Sequence, residues 1–279
     1  MVLFRLIAFT PKCFIPVIAS WLSHLAVLFA RKDAKTIKEN IGRVYGLPAK
    51  SEFSRDFVRQ VFRTQVLLLF ETLRFVYRPS EVLITGIEEA QGVLSRASDD
   101  CGVVIIAAHH GAWELAGYAA AKSLPRGFYA LAKPSRTRWF TAALNEIRER
   151  LGMKVLWTDS KSLLKDMMAV AQRKDHLAFV MDQRPGKRSG GLICRFLRVE
   201  GTHIVQGPAM MAAKKNMPVV GVHAMRIGPY EYKFFATEVL AKGHGLTDEN
   251  QIAQLMADDL SRMIETYPEQ WAWNYRRWK

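Results

Sequence analysis

The sequence predicts an α/β fold with a mixed or mostly parallel central sheet, helices on both faces and an N-terminal hydrophobic helix. Residues 102–107 form a wholly apolar run, which is expected of a strand that is covered on both faces. From there onward, short runs rich in β-branched residues alternate with stretches of helical periodicity, and this alternation is typical of parallel sheets. A chain of 279 residues suits one large domain with a short appendage.

The individual elements follow from these patterns. We expect strands at 102–107, 127–132, 154–157, 177–181 and 218–225. We expect helices at 53–77, 113–121, 137–151, 160–173, 206–216 and 248–266. The helix at 53–77 carries an apolar stripe with arginines between its members, which suits either core packing or contact with anionic lipid.

The N-terminus is strongly apolar. Residues 14–30 contain no Asp, Glu, Lys or Arg, and a run of cations begins at Arg31. A membrane helix needs roughly 20 apolar residues, so this stretch is short for a span. Cations directly after it favour the cytoplasmic side of a membrane. We therefore predict a membrane-anchoring segment at 1–30, spanning or lying in the interface, and an α/β domain at 31–279. The alternative is a hydrophobic helix that packs on the domain.

The formal net charge of +14 predicts a surface that attracts polyanions. Nucleic acid, anionic lipid head groups, a phosphorylated glycolipid and an acidic carrier protein all fit this charge. Neither a zinc-finger spacing nor an RNA-recognition signature is present, so membrane and carrier protein are favoured over nucleic acid. The tryptophans of 271–278 can pack in a core, but such rings beside arginines suit a membrane interface.

The segment 108–115, Ala-His-His-Gly-Ala-Trp-Glu-Leu, places a histidine and a carboxylate five positions apart where a predicted strand turns into a helix. A histidine of near-neutral pKa can take a proton from a hydroxyl, and a carboxylate within reach fixes its tautomer and stabilises the imidazolium. We therefore predict that His109 and Glu114 are catalytic. The alternative is a hydrogen-bonded core histidine and a glutamate that favours the helix dipole.

Further polar residues are predicted at the same edge of the sheet, where ligands gather in α/β folds. Lys133 and Arg136 follow the second predicted strand, and Asp182 and Gln183 follow the fourth. We assign these four residues to substrate binding. The alternatives are a turn or capping role for Asp182 and an ordinary solvated loop for the two cations.

No metal or cofactor is assigned. His109, His110 and Glu114 could suggest zinc, but the sequence has neither a His-Glu-x-x-His motif nor a cysteine pair to complete the ligands that a tetrahedral site needs. The three cysteines stand far apart without metal-ligand spacing, and we expect them to be reduced thiols: Cys13, Cys101 and Cys194.

Several motifs stand in order along almost the whole chain. They are Asn40-Ile41, 109–114 (His-His-Gly-Ala-Trp-Glu), 181–186 (Met-Asp-Gln-Arg-Pro-Gly), Phe196 with Thr202 and 207–209 (Gly-Pro-Ala), and the terminal 268–279 with its Trp-Asn-Tyr-Arg-Arg-Trp-Lys ending. This ordered set resembles the motifs of the bacterial lipid A biosynthesis acyltransferases, the lauroyl and myristoyl transferases that use acyl carrier protein. The chain departs from them at Lys133, where the family has arginine, at 197–198, and at Tyr275, where the family has histidine.

The resemblance implies transfer of a fatty acyl group from an acyl carrier protein thioester to a hydroxyl of a lipid A precursor, on the cytoplasmic face of a bacterial inner membrane. It implies that His109 activates the hydroxyl and that Glu114 orients and supports His109. Lys133 or Arg136, with nearby backbone amides, would hold the thioester oxyanion or acceptor phosphates, and Asp182 would bind the acceptor or order the site.

Two alternatives stay open at this point. One is another acceptor, such as a lysophospholipid, an ornithine lipid or a phosphatidylinositol glycolipid. The other is a non-catalytic membrane module that binds anionic lipid. Because the chain has no Gly-x-Ser-x-Gly elbow, an enzyme of this sequence is expected to transfer the acyl group directly, without a covalent intermediate.

Overall fold

The computed structural model describes residues 2–48, 51–186 and 191–278. Within these ranges lie nine strands: β1 (Leu83–Thr85), β2 (Val104–Ala107), β3 (Phe128–Ala132), β4 (Lys154–Trp157), β5 (His176–Val180), β6 (Gly191–Phe196), β7 (Val199–Val205), β8 (Val219–Gly228) and β9 (Glu231–Leu240). The same ranges hold ten α-helices: α1 (Val2–Ala8), α2 (Ile15–Phe29), α3 (Arg31–Tyr45), α4 (Glu52–Tyr77), α5 (Ile87–Ser98), α6 (Trp113–Ser123), α7 (Arg138–Arg150), α8 (Leu163–Gln172), α9 (Gly207–Lys215) and α10 (Glu249–Thr266).

Seven strands form one sheet in the order β1-β9-β8-β2-β5-β3-β4. The β8–β9 pair is antiparallel and every other neighbouring pair is parallel, so the predicted mixed, mostly parallel sheet is confirmed. The strands β6 and β7 form a separate antiparallel hairpin. The five predicted strands correspond to β2, β3, β4, β5 and β8, whereas β1, β9 and the hairpin were not predicted.

Helices cover both faces of this sheet. Because successive residues of a strand point to opposite sides, each central strand contributes side chains to two cores. In β2, Val104 and Ile106 belong to a core that they share with α8, α9 and α10. Ile105 and Ala107 belong to a second core that they share with α5, α6 and α7. All four residues of β2 are buried, as the wholly apolar run predicted.

The N-terminal segment folds as two helices, α1 and α2, instead of the one hydrophobic helix that we expected. Pro11 lies in the break between the two helices, and Pro16 occupies the first turn of α2, where its missing amide hydrogen costs no helical bond. Each helix packs one side against α4, with Phe4 and Ala8 buried in α1 and Ile15 and Ala19 buried in α2. None of the helices in the described part of the chain combines the length and hydrophobicity that a membrane crossing requires.

The C-terminal segment, residues 267–278, returns across the carboxyl end of β2. An isolated antiparallel bridge joins His110 to Trp271. The backbone amide of Ala272 donates to the carbonyl oxygen of His109 at 2.9 Å. The last residues of the chain therefore form one wall around the loop that follows β2.

Gly111 allows this close approach of three backbone segments. Its amide donates to the carbonyl of Gln270 at 3.1 Å, and its φ of +57° lies in the left-handed region. A Cβ atom here would meet the carbonyl oxygen of Ala224 at 2.3 Å. The loop after β2 therefore requires glycine at this position.

Candidate active site

The candidate site lies at the carboxyl ends of β2 and β5, which are adjacent and parallel. Ala107 and Val180 are paired at the ends of these strands, and His109 and Asp182 each follow two residues later. Parallel pairing thus brings together two side chains that are 73 positions apart in the sequence. This edge is where ligands of open α/β sheets bind.

His109 and Asp182 form a hydrogen bond in which Nδ1 of the ring lies 2.8 Å from Oδ1 of the carboxylate. Because an ionised carboxylate only accepts, Nδ1 carries a proton, and in the neutral form of the ring Nε2 keeps its lone pair. The amide nitrogen of Gln183 lies 3.5 Å from both ring nitrogens and so contacts the ring as a whole. The side chain of His109 is 27% exposed, against 3% for Asp182. The ring is therefore both oriented and accessible.

The pKa values of this pair are shifted in opposite directions. Burial disfavours the imidazolium of His109, but the charge of Asp182, the hydrogen bond to it and the charge of Glu114 outweigh burial and raise the pKa of His109. Burial also opposes ionisation of Asp182, yet the charge and hydrogen bond of His109 and the indole of Trp271 lower the pKa of that carboxyl. The carboxylate thus stabilises the positive histidine that a general base becomes.

Trp271 binds the second oxygen of Asp182, with its indole Nε1 donating to Oδ2 at 2.7 Å. Its ring is 1% exposed and makes edge-on contacts with Phe196, Trp273 and Trp278. Trp273 is also fully buried. The interpretation of these two tryptophans as membrane-interface residues is therefore wrong, because both pack inside the protein.

Glu114 lies in the first turn of α6, but its carboxylate is bound by Arg148 of α7. Nη2 and Nε of the guanidinium lie 2.7 and 3.1 Å from Oε1 of Glu114. The expectation that Glu114 fixes the orientation of His109 is corrected here, because Asp182 makes that hydrogen bond. Glu114 still acts on His109 through its charge, which helps to raise the pKa of the histidine.

His110, the neighbour of His109, is 2% exposed. Its Nε2 donates to the backbone carbonyl of Tyr267 at 2.8 Å. Burial lowers the pKa of His110 to about 3, so the ring stays neutral at physiological pH. Its position suits a structural link between the loop after β2 and the end of α10.

An apolar cavity of about 540 Å³ opens beside His109, a volume within the usual range of ligand sites. Its walls come from α1, α4, α6, α7 and the C-terminal segment. Apolar side chains dominate the lining, among them Leu3, Phe4, Leu68, Leu73, Phe140 and Ile147. The polar members include His109, Glu114, Gln270 and Asn274. The cavity therefore suits a long apolar ligand with one reactive end at His109.

Lys133 lies at the same edge of the sheet, and Arg136 follows it three residues later in the loop before α7. Lys133 directly follows β3, which is separated from β2 by β5, and both cations are exposed. The cavity lining, as far as the described residues define it, includes neither of them. Trp139 and Phe140, at the start of the following helix, do line the cavity.

In the described ranges, no three His, Cys, Asp or Glu side chains are grouped so that they could hold a metal ion. His109 and Glu114, which were considered for zinc, each have a partner of their own in Asp182 and Arg148. The three cysteines are free thiols: Cys13 is exposed, Cys101 half-buried and Cys194 buried.

Two residues of the site, Arg148 and Trp271, were not selected from the sequence. Arg148 lies 34 positions from Glu114, and Trp271 lies 89 positions from Asp182. Both contacts depend on how distant segments pack, which no local spacing encodes. One signal for the contact with Trp271 was Asp182 itself. A carboxyl residue directly after a buried strand is expected to be buried, and a buried carboxylate needs hydrogen-bond donors.

Comparison with known proteins places this chain in a family. The whole chain, residues 1–279, matches the family model of the bacterial lipid A biosynthesis acyltransferases. The lipid A biosynthesis palmitoleoyltransferase of Escherichia coli (strain K12) is 23% identical over 262 residues, which cover 92% of this chain and 82% of that protein. The lipid A biosynthesis acyltransferase of Shigella flexneri has the same identity and coverage. The resemblance seen in the motifs is thus confirmed, and the chain belongs to the bacterial lipid A biosynthesis acyltransferase family, a family of acyl-transferring enzymes.

Proposed function

We propose that this acyltransferase moves a fatty acyl group from the thioester of acyl carrier protein to a hydroxyl of a lipid A precursor. Family membership supports acyl transfer in lipid A biosynthesis. One observation carries the proposal furthest: an accessible histidine, hydrogen-bonded to a buried carboxylate, lies at an apolar cavity of about 540 Å³. That combination suits activation of a hydroxyl next to a bound hydrocarbon chain.

His109 is the proposed general base. Its Nε2 takes the proton of the acceptor hydroxyl while the hydroxyl oxygen bonds to the thioester carbonyl carbon. Asp182 stabilises the resulting imidazolium. The tetrahedral intermediate then loses the carbon–sulfur bond, and the imidazolium returns the proton to the departing thiolate. The products are an ester and the free thiol of the carrier, so no covalent acyl-enzyme forms.

Glu114 is proposed to support His109 by its negative charge. It lines the cavity beside His109, and the two-point contact with Arg148 holds its carboxylate in place. Arg148 is accordingly a positioning residue in this scheme. Gln183, which contacts the imidazole ring, is proposed to contact substrate next to the base.

The cavity is the proposed site of the acyl chain. Burying a methylene group contributes about 0.8 kcal/mol, so a fatty chain gains substantial binding energy from an apolar cavity of this kind. The cavity wall includes Leu73 of α4, Phe140 of α7 and Leu3 of α1. The depth available to the acyl chain therefore depends on how these helices pack against one another.

Lys133 and Arg136 are proposed to attract the anionic parts of both substrates. Both are exposed, and Lys133 directly follows β3 at the sheet edge that carries His109. An acidic carrier protein and the phosphates of a lipid A precursor both complement a chain of net charge +14. Because exposed cations act over a distance that salt screens, this contribution should weaken at high ionic strength.

The N-terminal helices are proposed to bind the cytoplasmic face of the bacterial inner membrane. Large apolar side chains protrude from α1 and α2, with Leu6 66%, Trp21 69% and Phe29 82% exposed. An apolar patch of this kind with cations beside it suits a membrane interface. Leu3 and Trp139 are exposed and also line the cavity, so the cavity adjoins this apolar surface. A lipid acceptor could then reach His109 from the membrane.

The proposed function is tested by mass spectrometry of acyl transfer. The full-length protein is mixed with acyl-acyl carrier protein and, separately, a lipid A precursor, a lysophospholipid, an ornithine lipid and a phosphatidylinositol glycolipid. The expected result is the mass of one acyl group added to the lipid A precursor. Transfer only to another lipid would overturn the proposed acceptor. Lipid binding with no consumption of thioester would overturn the enzymatic assignment.

A further inference from the structure

The carboxylate of Asp182 is held on both of its oxygens. Oδ1 accepts from Nδ1 of His109 at 2.8 Å, and Oδ2 accepts from Nε1 of Trp271 at 2.7 Å. Asp182 is 2% exposed, so bulk water cannot stand in for either donor. An indole N–H can only donate, so Trp271 can hold the carboxylate but cannot accept the proton that His109 takes from the hydroxyl.

Trp271 is itself rigidly placed. Its buried ring packs edge-on against Phe196, with centroids 5.9 Å apart, and against Trp273, with centroids 4.7 Å apart. The next residue, Ala272, donates its amide to the carbonyl of His109 at 2.9 Å. The segment that presents the indole to the carboxylate is thus also fastened to the backbone of the histidine that the carboxylate holds.

We infer, on the basis of the proposed function, that Trp271 is a positioning residue for acyl transfer. Its indole N–H fixes the plane of the Asp182 carboxylate, so that the other oxygen faces Nδ1 of His109. Nε2 of His109 is then kept free to accept the hydroxyl proton. Without the indole donor, only His109 among the described residues, through its ring and its backbone amide, opposes rotation of the carboxylate about the Cβ–Cγ bond, and the hydrogen bond to Nδ1 weakens.

Trp273 provides a matched control for this inference. It lies two residues from Trp271, is fully buried, and donates its indole N–H to the carbonyl of Pro268 at 2.6 Å, away from Asp182. Changing either tryptophan to phenylalanine removes one indole N–H and a similar buried volume. The difference between the two variants therefore isolates the hydrogen bond to Asp182.

A second change at position 271 guards against simple misfolding. Benzothienylalanine in place of Trp271 keeps the size and shape of the ring and replaces the N–H with sulfur. This variant removes the donor while preserving the packing against Phe196 and Trp273.

The experiment uses the full chain and two readouts. The first is kcat and KM of acyl transfer. The second is the proton NMR signal of Nδ1–H of His109, assigned by its absence from His109→Ala and measured without substrate. We expect Trp271→Phe and the benzothienylalanine variant to lower kcat by roughly 10- to 100-fold with little change in KM, by analogy with the cost of losing the hydrogen-bond partner behind a metal-binding histidine. The Nδ1–H signal should broaden or move upfield. Trp273→Phe should keep both the signal and kcat.

The outcomes separate the two proposals. Equal losses in the Trp271 and Trp273 variants would overturn the inference in favour of general packing. A benzothienylalanine variant with the wild-type signal and kcat would overturn it as well. If the wild-type protein transfers no acyl group, the proposed function fails, while the NMR comparison still decides whether Trp271 positions the pair of Asp182 and His109.

Discussion

Replacing Asp182 with asparagine should disable His109 by reversing its tautomer. The carboxylate accepts side-chain hydrogen bonds at 2.8 Å from His109 and at 2.7 Å from Trp271, and a further one from the backbone amide of His109. Asparagine offers one accepting oxygen and one donating amide. Since the indole can only donate, we expect the oxygen to face Trp271 and the amide to face His109. Nδ1 of His109 then accepts, Nε2 carries the proton, and no lone pair remains for the acceptor hydroxyl.

The size of the effect follows from the loss of a positioned base, which typically contributes about 10²–10⁴-fold to the rate. We expect kcat of Asp182→Asn to fall by that factor, with little change in KM because the cavity walls are untouched. The pH profile should shift as well. The negative charge of Asp182 raises the pKa of His109, and transfer needs the neutral ring, so the acid limb of the wild-type profile lies above the ordinary histidine pKa of about 6.5. Loss of the charge moves that limb to lower pH.

The assay is acyl transfer followed by mass spectrometry across the neutral pH range, with circular dichroism to check folding. The matched control is Asp259→Asn, because Asp259 is also buried and lies 3.1 Å from a buried histidine, His223, away from the cavity. A folded Asp182→Asn protein with the wild-type kcat would refute the reasoning. An equal loss in Asp259→Asn would also refute it, since the effect would then reflect stability alone.

Three further variants test the rest of the site. Glu114→Gln should lower kcat less than Asp182→Asn does, because Glu114 acts on His109 through charge and not through a hydrogen bond; a larger loss in steady-state assays would make Glu114 the main partner. His110→Phe should keep near-normal turnover and lose about 1–3 kcal/mol in urea unfolding, since it leaves the carbonyl of Tyr267 unpaired. Inactivity of a folded His110→Phe protein would contradict its structural role. Leu73→Trp should shift preference toward shorter acyl chains in competition between thioesters, because it fills the cavity; an unchanged preference would remove this cavity from acyl binding.

The central strands could be predicted because their apolar runs report burial on both faces. All four residues of β2 are buried, as expected of a strand in a parallel sheet that helices cover on both faces. The strand β1 has only three residues and an exposed face, which is too short for a periodic signal. The strand β9 alternates charged and aromatic residues at its start and becomes half-buried later, so its pattern is interrupted.

The sequence predicts the edge of the sheet at which the candidate site lies, but it does not predict which side chains hydrogen-bond to each other there. His109 and Asp182 both follow buried strands, which places them at the same end of a parallel sheet. Their hydrogen bond depends on β2 and β5 being neighbours in a specific register, which the sequence does not state. The partner of Glu114 on α7 and the indole of Trp271 depend on packing between distant segments. The local spacing between His109 and Glu114 therefore drew attention to His109, but it did not indicate that Asp182 is the hydrogen-bond partner of that histidine.

The most direct measurement of the proposed chemistry is kcat of His109→Ala in the mass-shift assay with acyl-acyl carrier protein and the lipid A precursor. Loss of the base predicts a fall of about 10²–10⁴-fold, with the circular dichroism spectrum of the folded wild type. Turnover close to that of the wild type would contradict the assignment of His109 as the group that activates the acceptor hydroxyl.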